Sequence, residues 1–489
     1  MKKRINELRK AIIWSFAQRY TGLVLSFPSL MILSRILTPA QIGVFSVSAA
    51  LVALVHMLRD FGVSEYLVQE KNLDEAKIRT AFTLNLIIAW VLAVMLFLSS
   101  NMIANFYDNP GVGQVVRVLS GNFILLPFGT TAMACLRRDL AFGTLYKIRL
   151  GESVVRTGGT LGLAFAGFGY MSMAWGSLGA IAALIIGCTV WAHKYRARGL
   201  GLSQWRRIIR FSVTRTISDI VSRLGMQSAD IIVGKTLGMA AVGFYSRGYG
   251  VVNIFRDNVV SAINLVALPA FAHEHRERGA APELFIRSLV YQTGISWPFF
   301  GFAILTAAPL IQFFFGSQWG AAVPVMRWLC AAAILGSLIF QCDEFFTAIG
   351  RVGVVTSVEI QYQLVRVGIV IVAAFYSIEA VAASQIIVYA IAVTLYYRKL
   401  TRYESLTVTK LVSALLPSAV VAVTTCLVPA LIILSPGFIS THYILAPIIA
   451  SAGAGLGWLL GAMLVKHPLL DEIKHVILSL RRRFHGFQG

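Results

Sequence analysis

Ten arginines stand in the interior of long apolar stretches of the chain, at Arg19, Arg59, Arg117, Arg156, Arg215, Arg223, Arg247, Arg256, Arg327 and Arg366, and lysine occurs only at the ends of such stretches. Arginine stays protonated and presents a planar fork of donors that fits the paired oxygens of phosphate or carboxylate, whereas lysine supplies charge with less geometry. An arginine at a bilayer centre costs about 2.5 to 3.5 kcal/mol even on lenient insertion scales, so several together must face protein or water. Anion recognition is the chemistry they suit, with snorkelling to the interface as the bland source of the same enrichment.

The stretch 209 to 236 has the clearest geometry. With Arg215 at zero and about 100° per residue, Ser222 falls near −20°, Met226 near 20°, Asp219 near 40°, Asp230 near 60° and Arg223 near 80°. That polar stripe predicts a face turned to a wet lumen, and a ladder of i,i+4 ion pairs packed on another helix is the alternative. Arg19 and Arg59 approach from the basic ends of the first two stretches, and Arg59 is equally well read as a snorkelling interfacial residue. Arg247 and Arg256 are nine positions apart, on opposite faces of a straight helix, and Arg256 is favoured because Asn253 and Asp257 are near it. The expected cationic lumen is therefore Arg19, Arg59, Arg215, Arg223 and Arg256. Acids in the same stretches (Asp60, Glu65, Glu152, Asp219, Asp230, Asp257, Glu344 and Glu359) are mostly salt-bridge partners. Asp219, Asp230 and Asp60 are the candidates for ion coupling. Asp219 sits at i±4 between Arg215 and Arg223, so an anion that took both arginines would leave it to bind a proton; the alternative is that it only orients them. His56 is a weaker candidate than a packed neutral imidazole.

The elements that carry these residues follow from composition. Of 489 residues, 57% are hydrophobic and 13% charged, with a mean hydropathy of +0.74, against about 25% charged in an ordinary soluble domain. A soluble globule, a disordered chain, a collagen-like repeat and a disulfide scaffold are all excluded. Fourteen apolar stretches are long enough to cross a bilayer, at 11 to 34, 42 to 67, 80 to 100, 115 to 135, 146 to 168, 172 to 192, 209 to 236, 241 to 270, 288 to 316, 321 to 346, 352 to 376, 380 to 397, 411 to 434 and 441 to 465. The first, fifth, seventh and eleventh are interrupted by charge, so twelve or thirteen remain alternative counts. Of the 43 Lys+Arg, 31 lie at the N-terminus, at the C-terminus or beside loops after even-numbered stretches, and only Arg35 and Lys235 lie in the opposite loops. Basic residues collect on the cytoplasmic side, which places both termini there, requires an even number of spans and accounts for the formal charge of +21 without nucleic acid. No cleavable leader is expected. The chain thus reads as an all-α polytopic membrane protein.

Ile32 to Ser46 can be laid on Ile232 to Ser246, with Arg35 facing Lys235 and Gly43 facing Gly243, and Leu58-Arg59-Asp60 corresponds to Phe255-Arg256-Asp257. Such internal similarity at equivalent places in the topology predicts two pseudo-symmetric six-helix bundles around a central cavity. The expected organisation is a basic N-terminus over 1–10, an N-lobe over 11–193, a basic linker over 194–208, a C-lobe over 209–399, two further helices over 409–465 and a cytoplasmic amphipathic tail over 466–489 lying on anionic lipid. Gly234-Lys235-Thr236 resembles the end of a P-loop, but Ala229 stands where its first glycine belongs. No H-E-x-x-H or G-x-S-x-G occurs, and the five cysteines form no C-x-x-C pair. No metal, cofactor or enzymatic activity is expected.

The turn from Arg35 to Gly43, Asp60-Phe61-Gly62 with Val68-Gln69-Glu70-Lys71, Leu136-Arg137-Arg138-Asp139-Leu140-Ala141-Phe142, Leu268-Pro269-Ala270-Phe271-Ala272 and Phe315-Gly316-Ser317-Gln318-Trp319 resemble, in their order, the polysaccharide exporters of the MOP flippase superfamily, the Wzx-type flippases of the colanic-acid exporter kind above all. The resemblance covers residues 10 to 400. It implies a two-lobed protein of the bacterial inner membrane. Such a protein moves polyprenyl-diphosphate-linked oligosaccharide between leaflets by alternating access, for exopolysaccharide, O-antigen or capsule biosynthesis. The last two spans resemble the pair whose groove takes the lipid tail in lipid-linked peptidoglycan precursor flippases. Expected partners are the lipid-linked oligosaccharide, membrane lipid, and a polymerase and chain-length regulator of the same pathway, with the chain itself a monomer. The rival readings are a multidrug or cation antiporter of the same superfamily, which would favour acidic cavities, and a membrane polysaccharide polymerase or ligase, which would need a larger outer loop.

Overall fold

A computed structural model describes residues 2–60, 63–195, 199–203, 205–402, 406–433, 445–472 and 474, with the side chains of 2–12, 15, 60, 65, 207–220, 433 and 445–447 left out. The described residues form α-helices with short 3-10 and π segments, and helix lies over each of the fourteen apolar stretches. Eight helices are long and apolar enough to cross a membrane, or ten if each of two bent pairs is one span, among the described residues. The chain is a multi-pass membrane protein.

By packing it divides into two compact units, Met1–Gly243 and Phe244–Gly489. The first contains α1 (Lys2–Ile36), α2 (Pro39–Asp60), α3 (Val63–Gln69), α4 (Glu75–Phe106), α5 (Pro110–Leu125), α6 (Pro127–Arg138), α7 (Phe142–Phe165), α8 (Met171–Trp191) and α9 (Trp205–Thr236). The division falls one helix beyond the basic linker because α9 lies against α2, α3 and α4. Local signals set the ends. Asp74 caps α4 by accepting from the Lys77 amide at 2.7 Å, and Asn109 caps α5 by accepting from the Gly111 amide at 2.9 Å, just before Pro110 at the first helical position. Pro127 has no amide hydrogen to continue α5, and the chain turns 53° there into α6. α7 and α8 pack as an antiparallel pair, and α1 lies on α7 with the Trp14 and Tyr146 rings 5.0 Å apart.

The two segments that align in the sequence also meet. A Cβ on Gly43 would stand 1.7 Å from the Met239 carbonyl oxygen, and one on Gly243 would stand 2.1 Å from the Pro39 carbonyl oxygen. Only glycine permits that reciprocal approach. Nearby, Lys235 donates to Asp108 at 2.8 Å, so the lysine of the P-loop-like triplet is held in an ion pair.

The second unit contains α10 (Met239–Phe255, its first turn belonging to the first unit), a π segment (Arg256–Val260), α11 (Ser261–Glu277), α12 (Ala281–Leu305), α13 (Ala307–Phe315), α14 (Ala322–Gly336), α15 (Cys342–Ala348), α16 (Val352–Ala374), α17 (Ile378–Leu400), α18 (Val408–Ile433) and α19 (Leu445–Leu464). Its core stacks Phe271, Phe285, Phe345, Phe346 and Tyr396. Beyond α19, His467 is buried against Ser418 at 3.2 Å, and Glu472 accepts from Arg287 at 3.0 Å, which ties the segment after the last helix to α12 and α18. Of the expected amphipathic tail, residues 473 and 475–489 lie outside the described residues.

Candidate functional site

On α7, Arg149, Glu152 and Arg156 stand at i, i+3 and i+7, a spacing that puts three side chains on one helix face. Arg149 Nη1 donates to Glu152 Oε2 at 2.7 Å, and Arg156 Nη2 donates to Glu152 Oε1 at 2.7 Å. The carboxylate is 10% exposed, while its partners are 33% and 49% exposed. Both carboxylate oxygens are engaged, yet each guanidinium keeps further N–H groups for another acceptor.

This face borders a cavity of 440 Å³ within the first unit, whose wall also takes His56 and Arg59 from α2, Asn122 from α5, Thr130 and Arg137 from α6, and Ser177 from α8. Among the described residues, four arginines and one carboxylate line it. Ordinary apolar packing fixes α6, α7 and α8: Leu136, Leu145, Ile148, Leu184 and Cys188 belong to one buried cluster, of which Leu184 also lines the cavity. His56 is stacked on Phe123 with ring centroids 4.2 Å apart. Asn122 donates to Ser177 at 3.2 Å, and its buried Oδ1 has no hydrogen-bond partner among the described residues. Guanidinium groups crowded in a low-dielectric wall attract anions and repel cations. Hydroxyls and an amide between them add neutral hydrogen-bonding groups.

The residues expected to form the cationic lumen are placed unevenly. Arg59 is buried, 7% exposed, and on the cavity wall rather than snorkelling outward. Arg19 is half-buried on α1, with a buried Nη2 that finds no hydrogen-bond partner among the described residues. Arg223 is exposed on α9. Arg256 opens the π segment and faces Asp257 at 3.8 Å, while Arg247 is buried over the rings of Phe315 and Trp319. α10 runs unbroken to Phe255 and the π segment begins at Arg256, so the two arginines stand nine positions apart along continuous helix. The side chains of Arg215, Asp219 and Asp60 lie outside the described residues. Asp230 is described, and its buried Oδ1 has no hydrogen-bond partner among the described residues.

Arg137 and Arg149, counted among loop residues from the sequence, belong to α6 and α7 and line the cavity. For Arg149 the signal was the R-x-x-E-x-x-x-R spacing of α7, which marks one helix face; Arg137, on α6, has no such signal. Arg117 turns to Ser100 at 2.8 Å and to Asn101, and Arg327 donates to the Ile304 carbonyl at 3.3 Å, so both serve local structure. Among the described residues no group of three or more His, Cys, Asp or Glu is placed to hold a metal ion.

Residues 32–324 match the family described as Polysaccharide biosynthesis protein. The chain is 25% identical over 348 residues to the lipopolysaccharide biosynthesis protein WzxC of Escherichia coli (strain K12), covering 70% of each. It is 28% identical to the teichuronic acid biosynthesis protein TuaB of Bacillus subtilis (strain 168), covering 60% of this chain and 61% of that one. It is 26% identical to the succinoglycan biosynthesis transport protein ExoT of Rhizobium meliloti (strain 1021), covering 70% and 68%. In fold it is similar to the lipid II flippase MurJ in an inward closed conformation, with a TM-score of 0.76 at 11% identity over 94% of this chain and all of that one. A multidrug resistance MATE family transporter of the MOP superfamily follows with a TM-score of 0.63 at 14% identity over 78% of this chain and 95% of that one. With its match spanning more than half of its length, the chain belongs to the polysaccharide biosynthesis protein family.

Proposed function

We propose that this chain is a flippase that moves polyprenyl-diphosphate-linked oligosaccharide across a bacterial inner membrane by alternating access, and that it is a transporter rather than an enzyme. The observation that carries the reading is the cavity in the first unit, where, among the described residues, four arginines meet one carboxylate. A diphosphate diester is an anion that must pass through the apolar layer, and paired guanidiniums are the groups that replace its water there. The biosynthetic names of WzxC, TuaB and ExoT and the MurJ-like fold support the same conclusion. A wall of arginines speaks against a cation antiporter.

In this reading Arg59, Arg137, Arg149 and Arg156 receive the head group, and Arg19, Arg215, Arg223 and Arg256 supply positive charge along its path. Asp230, whose buried Oδ1 has no hydrogen-bond partner among the described residues, is the best placed ion-coupling acid, and Asp219 and Asp60 remain candidates beside it. The reciprocal Gly43 and Gly243 contact supports two related six-helix bundles in a fourteen-helix protein. The charge distribution supports cytoplasmic termini. A polymerase and chain-length regulator would act on the exported unit. Deletion of the gene tests the function: surface polysaccharide should fall to background while polyprenyl-diphosphate oligosaccharide accumulates facing the cytoplasm. Normal polymer in a strain with no second flippase would overturn it.

A further inference from the structure

Glu152 is the sole acid among the described residues that wall the cavity, and it is placed on the two arginines that a diphosphate would need. One carboxylate across two guanidiniums at 2.7 Å each has the shape of a bridging diphosphate, two oxygens on two planar forks. We propose that Glu152 is a tethered stand-in for the substrate's head group, holding Arg149 and Arg156 between transport events, yielding them when the diphosphate arrives and reclaiming them to drive it out. This rests on the reading of the cavity as the head-group site.

The physical need is release. A cavity with every guanidinium free would bind a dianion tightly and let it go slowly, whereas transport requires binding strong enough to admit and weak enough to release. A carboxylate three residues after one arginine and four before the other is always at high local concentration, so it competes without the entropy cost of bringing in a separate ion. Each substrate then exchanges two charge-assisted bonds for two others, and the net affinity is a modest difference. It also sets selectivity: a monoanion gains little over the carboxylate it displaces, while a diphosphate brings more charge and more oxygens. If Glu152 only clamped the arginines in position, removing its charge would weaken anion binding. The two roles therefore predict opposite signs.

The test is titration of the purified full chain in detergent with inorganic pyrophosphate, in magnesium-free buffer, by calorimetry. Glu152→Gln should bind about five- to tenfold tighter than wild type, a moderate change because both arginines are partly exposed, and should export more slowly at saturating substrate. Glu152→Asp, too short to span both arginines, should fall between them, and it carries the test if the Gln variant does not elute as a single species. Affinity unchanged or reduced in the variants, with wild type binding and Arg149→Gln/Arg156→Gln not binding, overturns the stand-in role and leaves the cavity reading intact. Pyrophosphate binding absent from wild type, or undiminished in the double arginine variant, overturns both.

Discussion

Arg149 and Arg156 are held in place yet half open to the cavity, and that combination gives their substitution a definite sign. Replacing either by Ala removes a forked donor and frees Glu152 to repel the incoming anion, so export should fall by about tenfold or more, as expected for loss of a charge-assisted contact of about 1.5 to 3 kcal/mol. Lys at either position should restore charge without the fork and rescue in part. Both are read by surface polysaccharide yield against membrane protein level; full export by either Ala variant would remove that arginine from the site. What the sequence disclosed at this scale was residue type: arginine in place of lysine inside apolar segments implied an oxoanion. Position was harder to read. Arg137 and Arg149 sit near the ends of apolar stretches and were grouped with the loops, and of Arg247 and Arg256, nine positions apart along continuous helix, it is Arg247 that is buried, over Phe315 and Trp319.

At the scale of elements, hydrophobic periodicity and length located the helices, because a bilayer leaves the backbone few other ways to satisfy its hydrogen bonds. Breaks were less legible. The 53° turn at Pro127 and the 79° turn between α12 and α13 sit inside runs that read as single spans, since hydropathy does not register direction. A weak alignment suggested a repeat, and the two aligned segments meet at the glycine crossing. Gly43→Ala would drive a Cβ to 1.7 Å from the Met239 carbonyl oxygen, a backbone atom that cannot swing aside. Overpacking of that kind costs about 1 to 3 kcal/mol, so the variant should unfold at a lower temperature and accumulate poorly. Gly158 of α7 has nothing within 4 Å of its Cβ position, and Gly158→Ala should unfold at or above the wild-type temperature. Equal stability of the two variants, measured by differential scanning fluorimetry in detergent, would contradict the close crossing.

For the whole molecule, charge scarcity and charge asymmetry together announced a multi-pass protein, and the order of short motifs announced the family. The number of spans was less sharply defined, since α7 and α9 carry charge along their length and are not apolar enough to count by composition. That is the price of function in a membrane: the helices that bear the arginines are the ones that least resemble membrane helices. The central claim is that this chain alone moves a diphosphate-linked lipid between leaflets. It is tested most directly by reconstituting the purified protein in liposomes loaded with a fluorescent polyprenyl-diphosphate oligosaccharide, and following the fraction of label that an impermeant quencher reaches. Liposomes with wild-type protein should expose the inner-leaflet pool within minutes, while protein-free liposomes and those with Arg149→Ala/Arg156→Ala keep about half of the total label protected, the inner-leaflet share of a symmetric bilayer. Equal protection in wild-type and protein-free liposomes, with an ion gradient of either sign imposed, would contradict the account.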